Sequence, residues 1–276
     1  MNRIDLHMHS TASDGVLRPA EVVQLGKARG LTTIALTDHD TTDGWAEAFH
    51  TGHELGIEVI GGFEINSETS RGHVDFLVYG ADAANRALQD QLLEIRDARV
   101  GRARGMVKKL VELGLPIAWE RVLFFAGDAQ SIARPHVARA LVEAGYVASP
   151  QEAFDKYLND NGPAYVHRLE IEPHEVIDVV HRAGGVIVLS SPGHSRTTHL
   201  TPLLAELGLD GVEVYYYDHS DEVKQQLLAL AQQHNLIVTG GSDFHGDGTH
   251  AELGSVYVPD EVVVKLKERL AAWVYH

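Results

Sequence analysis

The sequence has no cysteine among its 276 residues. That excludes a disulfide framework and any metal site built on thiolates. Long apolar runs are also missing. None approaches the ~20 residues needed to cross a bilayer, so no membrane partner is expected. The opening Met1-Asn2-Arg3-Ile4-Asp5-Leu6-His7 lacks the apolar stretch of a secretory signal and reads as a strand, which fits a cytoplasmic location. Positive charge is scarce, with 23 Lys and Arg against 39 Asp and Glu and a formal net charge of −16. Such a balance opposes binding to the phosphates of duplex nucleic acid. It leaves a small phosphorylated substrate open, because bound cations reverse the sign of a site locally.

Apolar residues make up 44% of the chain and charged residues 22%, an ordinary globular balance that can build a sizeable core. The length suits one large domain or a domain carrying an insertion. Histidine is abundant, at 17 residues, and several stand where strands should end.

Strands and helices alternate along the chain. Ile4 to His9 alternates apolar and polar residues, as a strand does. Pro19 opens a helix that Gly30 closes. A short strand over Thr32 to Leu36 follows, then a helix capped by Thr42 or Asp43 and running to about Gly56. Ile57 to Ile60 and His73 to Tyr79 read as the next strands. Residues 82–162 then read as helical throughout, which defines an insertion between barrel segments 1–81 and 163–276. The β/α rhythm returns with a helix from Pro173 to Arg182 and strands Val186–Leu189, Gly211–Tyr215 and Leu236–Thr239, before a last helix near Asp260 to Ala272. Alternation of this kind implies mainly parallel pairing. About seven such units with polar residues after the strands suggest a closed or distorted β/α barrel, whose chemistry sits at the strands' C-terminal ends. An open doubly wound sheet is the alternative.

The first strand ends in His7-Met8-His9, and a side-chain period of two sends both imidazoles to one face. Asp14 follows in a Ser-Asp-Gly turn. The second strand ends in Thr37-Asp38-His39-Asp40, where Asp38 is placed to orient His39. The third leads into Gly61-Gly62-Phe63-Glu64, with glycines that allow close backbone approach and a glutamate able to bridge two ions. Late in the chain, Asp243 and His245 share a face after another apolar strand. Each element alone has a bland reading as a turn or surface residue. Together they point to a multinuclear site of imidazole and carboxylate ligands suited to Mn²⁺, Zn²⁺ or Fe²⁺.

These segments, Asp5-Leu6-His7-Met8-His9-Ser10, Leu36-Thr37-Asp38-His39-Asp40-Thr41, Gly62-Phe63-Glu64-Ile65 and Gly241-Ser242-Asp243-Phe244-His245, resemble the PHP (polymerase and histidinol phosphatase) family. Arg134-Pro135-His136-Val137-Ala138-Arg139 resembles its stand-alone phosphoesterases. The resemblance implies a distorted (β/α)7 barrel with a helical insertion, two or three divalent ions (Mn²⁺ foremost), and hydrolysis of phosphomonoesters. It implies small nucleotides as substrates, such as nucleoside 3′,5′-bisphosphates or the 5′ ends of short oligonucleotides. One metal site would use His7, His9, Glu64 and Asp243, and a second Asp14, His39 and His245. The third departs from the pattern. Asp75 stands where relatives carry a histidine, and Ser191 in Ser190-Ser191-Pro192-Gly193 replaces the histidine of Ala-His-Pro-Gly. A neutral hydroxyl is a poor ligand, so this site is expected to be weak unless His194 substitutes.

By the same resemblance the insertion covers the barrel mouth, where Arg134 and His136 meet the substrate phosphate. Arg99 and Arg102, three apart on a helix, are candidates to add positive charge, with a solvated helix face as the alternative. Arg134 would stabilise charge on the phosphoryl oxygens, and His194 or His136 would protonate the leaving oxygen. Tyr215, Tyr216 and Tyr217 are candidates to stack a base. A metal hydrolase acting at carbon is a rival reading, but no strand-end lysine suited to carbamylation is present. The other rival is a degenerate PHP domain that binds metal or nucleotide with little turnover, which Ser191 keeps open.

Overall fold

The structure is a computed structural model that describes residues 3–69, 72–129, 131–167, 169–248 and 250–273; Met1 and Asn2 of the opening segment lie outside them. Seven strands follow one another around a single sheet in chain order. They are β1 (Ile4–Asp5), β2 (Thr33–Leu36), β3 (Glu58–Thr69), β4 (Gly72–Tyr79), β5 (Val186–Leu189), β6 (Gly211–Tyr216) and β7 (Ile237–Gly241). The segment after β1 pairs back onto β7: the Leu6 N–H donates to the Gly240 carbonyl at 3.1 Å and the Asp243 N–H to the His7 carbonyl at 2.8 Å. A parallel bridge joins Met8 to Phe244. The sheet is therefore a nearly closed barrel, not an open sheet. A glycine makes this closure feasible, since a Cβ on Gly241 would stand 2.4 Å from the His7 backbone nitrogen.

Pairing is mainly parallel, as expected, in β1–β2, β2–β3, β5–β6 and β6–β7, and the exception is β4, which runs antiparallel to both β3 and β5. The register Thr69↔Gly72 leaves only two residues to join β3 to β4. A parallel return needs a crossover of about a dozen residues or more, so a hairpin is what fits. One expectation needs correction: Glu64 does not follow a strand, because β3 runs on to Thr69 and Glu64 lies within it, bridged in parallel to His39.

Outside the barrel lie α1 (Pro19–Ala28), α2 (Trp45–Leu55), α3 (Arg86–Glu112), α4 (Trp119–Ala126), α5 (Arg134–Glu143), α6 (Pro150–Ala153), α7 (Pro173–Arg182), α8 (Thr201–Glu206), α9 (Asp221–Gln233) and α10 (Glu261–Trp273). Helices α1 and α7 begin on Pro19 and Pro173, where a missing N–H costs nothing. Helix α2 starts at Trp45, later than a Thr42 or Asp43 cap requires, because the Thr41 hydroxyl holds the Asp43 N–H in a preceding turn. Barrel-filling side chains such as Leu6, Leu77, Tyr79 and Val188 share a cluster with Val262 and Leu266 of α10. The insertion has its own core, built from Met106, Leu110, Val122, Val137, Leu141 and Leu158. Helix α3 belongs to both: Leu88, Leu92 and Ile95 pack on the barrel, whereas Ala103, Met106 and Leu110 enter the insertion core. A single unbroken helix thus fixes the insertion over the barrel mouth. Among the described residues no helix is long and apolar enough to cross a membrane.

Candidate metal centre and active-site cavity

The strand ends deliver their polar residues to one place. The Nε2 atoms of His7 and His9 lie 3.1 and 3.2 Å from Asp243 Oδ1, and 3.7 and 3.5 Å from Glu64 Oε2. Beside them, Asp14 lies 3.7 Å from His39 Nε2, 3.4 Å from His245 Nε2 and 3.8 Å from His9 Nδ1. His39 Nδ1 reaches Glu64 at 3.2 Å, which joins the two groups. Two sets of side chains are close enough to share an ion: His7, His9 and Asp243, and His9, Asp14, His39 and His245. A further set, Asp243, His245 and His250, adds a histidine that the sequence motifs did not single out, stacked on His245 with ring centroids 4.1 Å apart.

The donor set fits divalent cations. His7 Nε2, both ring nitrogens of His9 and His39 Nδ1 are buried without a hydrogen bond among the described residues. Buried polar atoms left this way are costly, and a cation satisfies them. The tautomers are set from behind. Carboxylate and carbonyl oxygens only accept, so His7 Nδ1–H donates to Glu213 Oε1 at 3.0 Å and His245 Nδ1–H to the Asp243 carbonyl at 2.9 Å. Both Nε2 atoms are left for the cluster.

Electrostatics agree. Burial works against ionising Asp14 and Asp243, but His39 and His245 around the first, and His7 beside the second, hold both carboxyls well below the usual range. Burial pushes Glu64 up to about 7, against the pull of His7 and with Asp75 and Asp243 adding. Burial pushes His9 down to about 4. His245 is raised to about 10, because Asp14 and Asp243 outweigh its burial. Ionised carboxylates surrounding imidazoles that carry protons only where the charge demands it form a site that cations can enter by displacing those protons.

Several residues that the sequence did not flag as supports of the metal centre hold it in place. Glu213, fully buried, also accepts the Ser191 N–H at 2.8 Å. Tyr216 donates to Asp243 Oδ2 at 2.8 Å. Glu213 and Tyr216 are three apart, which alternation would send to opposite faces. The register shift between Glu213 and Tyr215 turns both toward the site. Asp5 accepts from the backbone N–H groups of Ser242 and Gly254 at 2.9 and 2.8 Å and so anchors the Asp243 loop. A charged residue in an otherwise apolar strand was the available signal for Asp5 and Glu213. Asp38 does not orient His39. It accepts from Ser10 N, Ser10 Oγ and Ser13 Oγ at 2.7, 2.6 and 2.6 Å, and so fixes the loop that carries Asp14. Asp40, Ser191 and Asp243 all have positive φ, of 53°, 35° and 54°, a strain typical of functional loops.

The cluster opens into a cavity of about 490 Å³. Asp14, His39, Glu64, Asp75, Asp243 and His245 line its floor. Arg99, Arg102, Arg134 and Arg139 line the insertion side, and His194, Tyr216 and Tyr217 another wall. Arg99 is ion-paired with buried Asp40 and hydrogen-bonded to Asn66, whose amide donates to Asp75 Oδ1 at 2.6 Å. Arg134 sits over the Phe154 ring at 5.5 Å, 3.3 Å from Asp160 Oδ1. His136 is not on the cavity wall. It is buried at the start of α5, where its Nδ1 accepts the Ala133 N–H at 3.0 Å. Ser191 lines the cavity near Glu64 and Asp75, but it is Ser190 whose hydroxyl donates to Glu64, at 3.2 Å. His194 does not fold back toward that carboxylate, since its Nδ1 bonds Asp218 at 2.7 Å on the rim.

The model of the PHP domain matches residues 5–96. Over 253 residues the chain is 34% identical to the 3′,5′-nucleoside bisphosphate phosphatase of Chromobacterium violaceum, covering 90% of this chain and 89% of that protein. This chain belongs to the PHP family. The PHP chain is also 34% identical over 257 residues to the 5′-3′ exoribonuclease Rnm of Salmonella typhimurium, covering 91% and 87% of the two. Its fold matches that of a protein described as a metal-dependent phosphoesterase from Bifidobacterium adolescentis, with a TM-score of 0.90, 34% identity and 96% of each chain covered. It is a hydrolase, a metal-dependent phosphoesterase of the distorted barrel type.

Proposed function

We propose that the cavity takes the phosphomonoester of a small nucleotide, either a nucleoside 3′,5′-bisphosphate or the 5′ end of a short oligonucleotide, and hydrolyses it. The observation that carries this reading is the composition of one cavity: a buried imidazole–carboxylate floor facing four arginines across about 490 Å³. That volume suits a nucleotide and not a duplex. The names of the relatives, a nucleoside bisphosphate phosphatase and a 5′-3′ exoribonuclease, support the same class.

His7, His9, Glu64 and Asp243 would hold one ion and Asp14, His39 and His245 a second, and Glu64 and Asp75 would offer a weaker third position beside Ser191. Mn²⁺ suits this mixture of nitrogen and oxygen donors best, and Zn²⁺ and Fe²⁺ suit it as well. Divalent cations bound there supply positive charge that polarises the phosphoryl oxygens and eases deprotonation of a water. The chain's own part is to position and balance charge. Arg134 and Arg99, both on the cavity wall, would meet the non-bridging oxygens and offset the charge that grows there. His136 acts through Arg134: by accepting the Ala133 N–H it fixes the first turn of α5, on which Arg134 is the first residue. Asp40 anchors Arg99 to the barrel. Tyr217, about 40% exposed on the rim, offers a ring to a base.

The test is turnover of a nucleoside 3′,5′-bisphosphate before and after chelation, with metal analysis of the same samples. Chelation should abolish release of phosphate and Mn²⁺ should restore it. Full turnover in a sample shown to be metal-free, or none after Mn²⁺ is added, would refute the proposal.

A further inference from the structure

Cleaving a nucleotide phosphomonoester expels a ribose hydroxyl, whose anion is a poor leaving group without a proton donor. Among the described residues, the imidazoles of the cavity floor are those assigned to the cations, so they are not available to give a proton. His136 is buried behind the wall. His194 is different. It stands on the cavity wall with half its side chain exposed, and its Nδ1 lies 2.7 Å from Asp218 Oδ2. A carboxylate only accepts, so the Nδ1 proton belongs to that bond and Nε2 is the nitrogen left over for a partner.

The ring is built into place. His194 comes from the loop after β5 and Asp218 from the loop after β6. The Gly193 N–H donates to His219 Nε2 at 3.1 Å, and His219 Nδ1–H donates to the Val214 carbonyl at 2.9 Å. On the other side of the loop, the Ser191 N–H is held by Glu213. A Cβ on Gly193 would stand 2.5 Å from Val223, so the loop is packed flat against the start of α9. The His194 ring leans on Tyr216 at 5.7 Å and Tyr217 at 6.4 Å, and Tyr216 in turn contacts the centre through Asp243.

We propose that His194 and Asp218 form the acid dyad of the reaction, with His194 as the catalytic proton donor and Asp218 as its positioning residue. The assignment rests on the phosphomonoesterase reading above. The ester P–O bond breaks with its electron pair passing to the leaving oxygen, which takes the proton from His194 Nε2. The oxygen of water forms the new bond to phosphorus, and the proton that water gives up restores the imidazolium by way of solvent. Asp218 keeps the ring in the tautomer and orientation that present Nε2.

The dyad predicts a dependence on the leaving group that a merely structural role does not. 4-Nitrophenolate leaves without a proton, whereas a nucleoside alkoxide does not. On the Mn²⁺-loaded enzyme, His194→Asn should lower kcat/KM for a nucleoside bisphosphate by about 100-fold or more, and for 4-nitrophenyl phosphate by a factor roughly tenfold smaller. Asp218→Ala should show the same selectivity to a lesser degree. Asp218→Asn, whose carbonyl still accepts from Nδ1, should recover part of the loss. His250→Gln, the other histidine on the wall, should show no such selectivity. Equal losses on both substrates with metal content unchanged, or selectivity found in His250→Gln instead, would overturn the dyad while leaving the phosphatase reading intact. No phosphate release by the unaltered enzyme from either substrate would overturn both.

Discussion

Replacing Glu213 by glutamine tests how far the metal centre depends on a residue that touches no ion. Glu213 is fully buried and uses both oxygens, accepting from His7 Nδ1 at 3.0 Å and from the Ser191 N–H at 2.8 Å. Glutamine keeps the volume but offers only one accepting atom, and either orientation fails. If its oxygen faces His7, its NH₂ meets the Ser191 N–H donor to donor, and a buried unsatisfied donor costs about 1–3 kcal/mol. If its oxygen faces Ser191, its NH₂ donates to His7 Nδ1 and drives the imidazole proton onto Nε2. That is the atom turned toward Asp243 and Glu64, where a lone pair is needed. The charge is also lost. Burial alone would keep a proton off His7, but Glu213 and Asp243 hold its pKa well above the ordinary imidazole value and make the ring a stronger base toward a cation. Partners of this kind are worth about 10–100-fold in metal affinity, or roughly 1.4–2.8 kcal/mol. Mn²⁺ titration of chelated protein by calorimetry, with activity followed in parallel, should show the midpoint of the position that includes His7 rising by that factor while saturating Mn²⁺ restores most turnover. An unchanged midpoint in a folded variant would refute the role given to Glu213.

Arg134→Ala should lower kcat/KM on a nucleoside bisphosphate by about 2–4 kcal/mol of transition-state stabilisation while metal content stays the same; unchanged kinetics would make Arg134 a mere neighbour of Phe154 and Asp160. The parent protein should retain fewer than three ions per chain after dialysis, because Asp75 shares its position with Ser191, and Ser191→His should raise the count; three firmly held ions in the parent would refute this. Burial, with Arg139 and Arg99 adding, pushes His136 down to about 4 against the pull of Asp14. Its folded pKa lies below the unfolded value near 6.5, so the unfolded chain takes up a proton first as the pH drops. The stability of metal-free protein should therefore fall between about pH 6.5 and 4, His136 contributing on the order of 2–3 kcal/mol. Chemical denaturation of metal-free His136→Gln should show a shallower loss over that window, and an identical slope would place the effect elsewhere.

Much of the fold was legible because the signals are local. Pro19 and Pro173 mark helix starts, and short apolar runs mark β2, β5, β6 and β7. The strand-end motifs carry the side chains that meet in the centre, and a period of two decides that His7 and His9 share a face. Tertiary structure decided what pairing across the chain requires. Barrel closure through Gly241 brings His7 and His9, near one end of the sequence, against Asp243 and His245 near the other. A two-residue hairpin reverses β4, so that Asp75 reaches the mouth from that strand's beginning. The shift in register at Glu213 turns that carboxylate and Tyr216 to the same side. The depth of His136 and the partnership of His194 with Asp218 follow from the way loops and insertion pack on the barrel. Periodicity within a segment fixes which way a side chain faces, but only the closed sheet and its register fix what it faces.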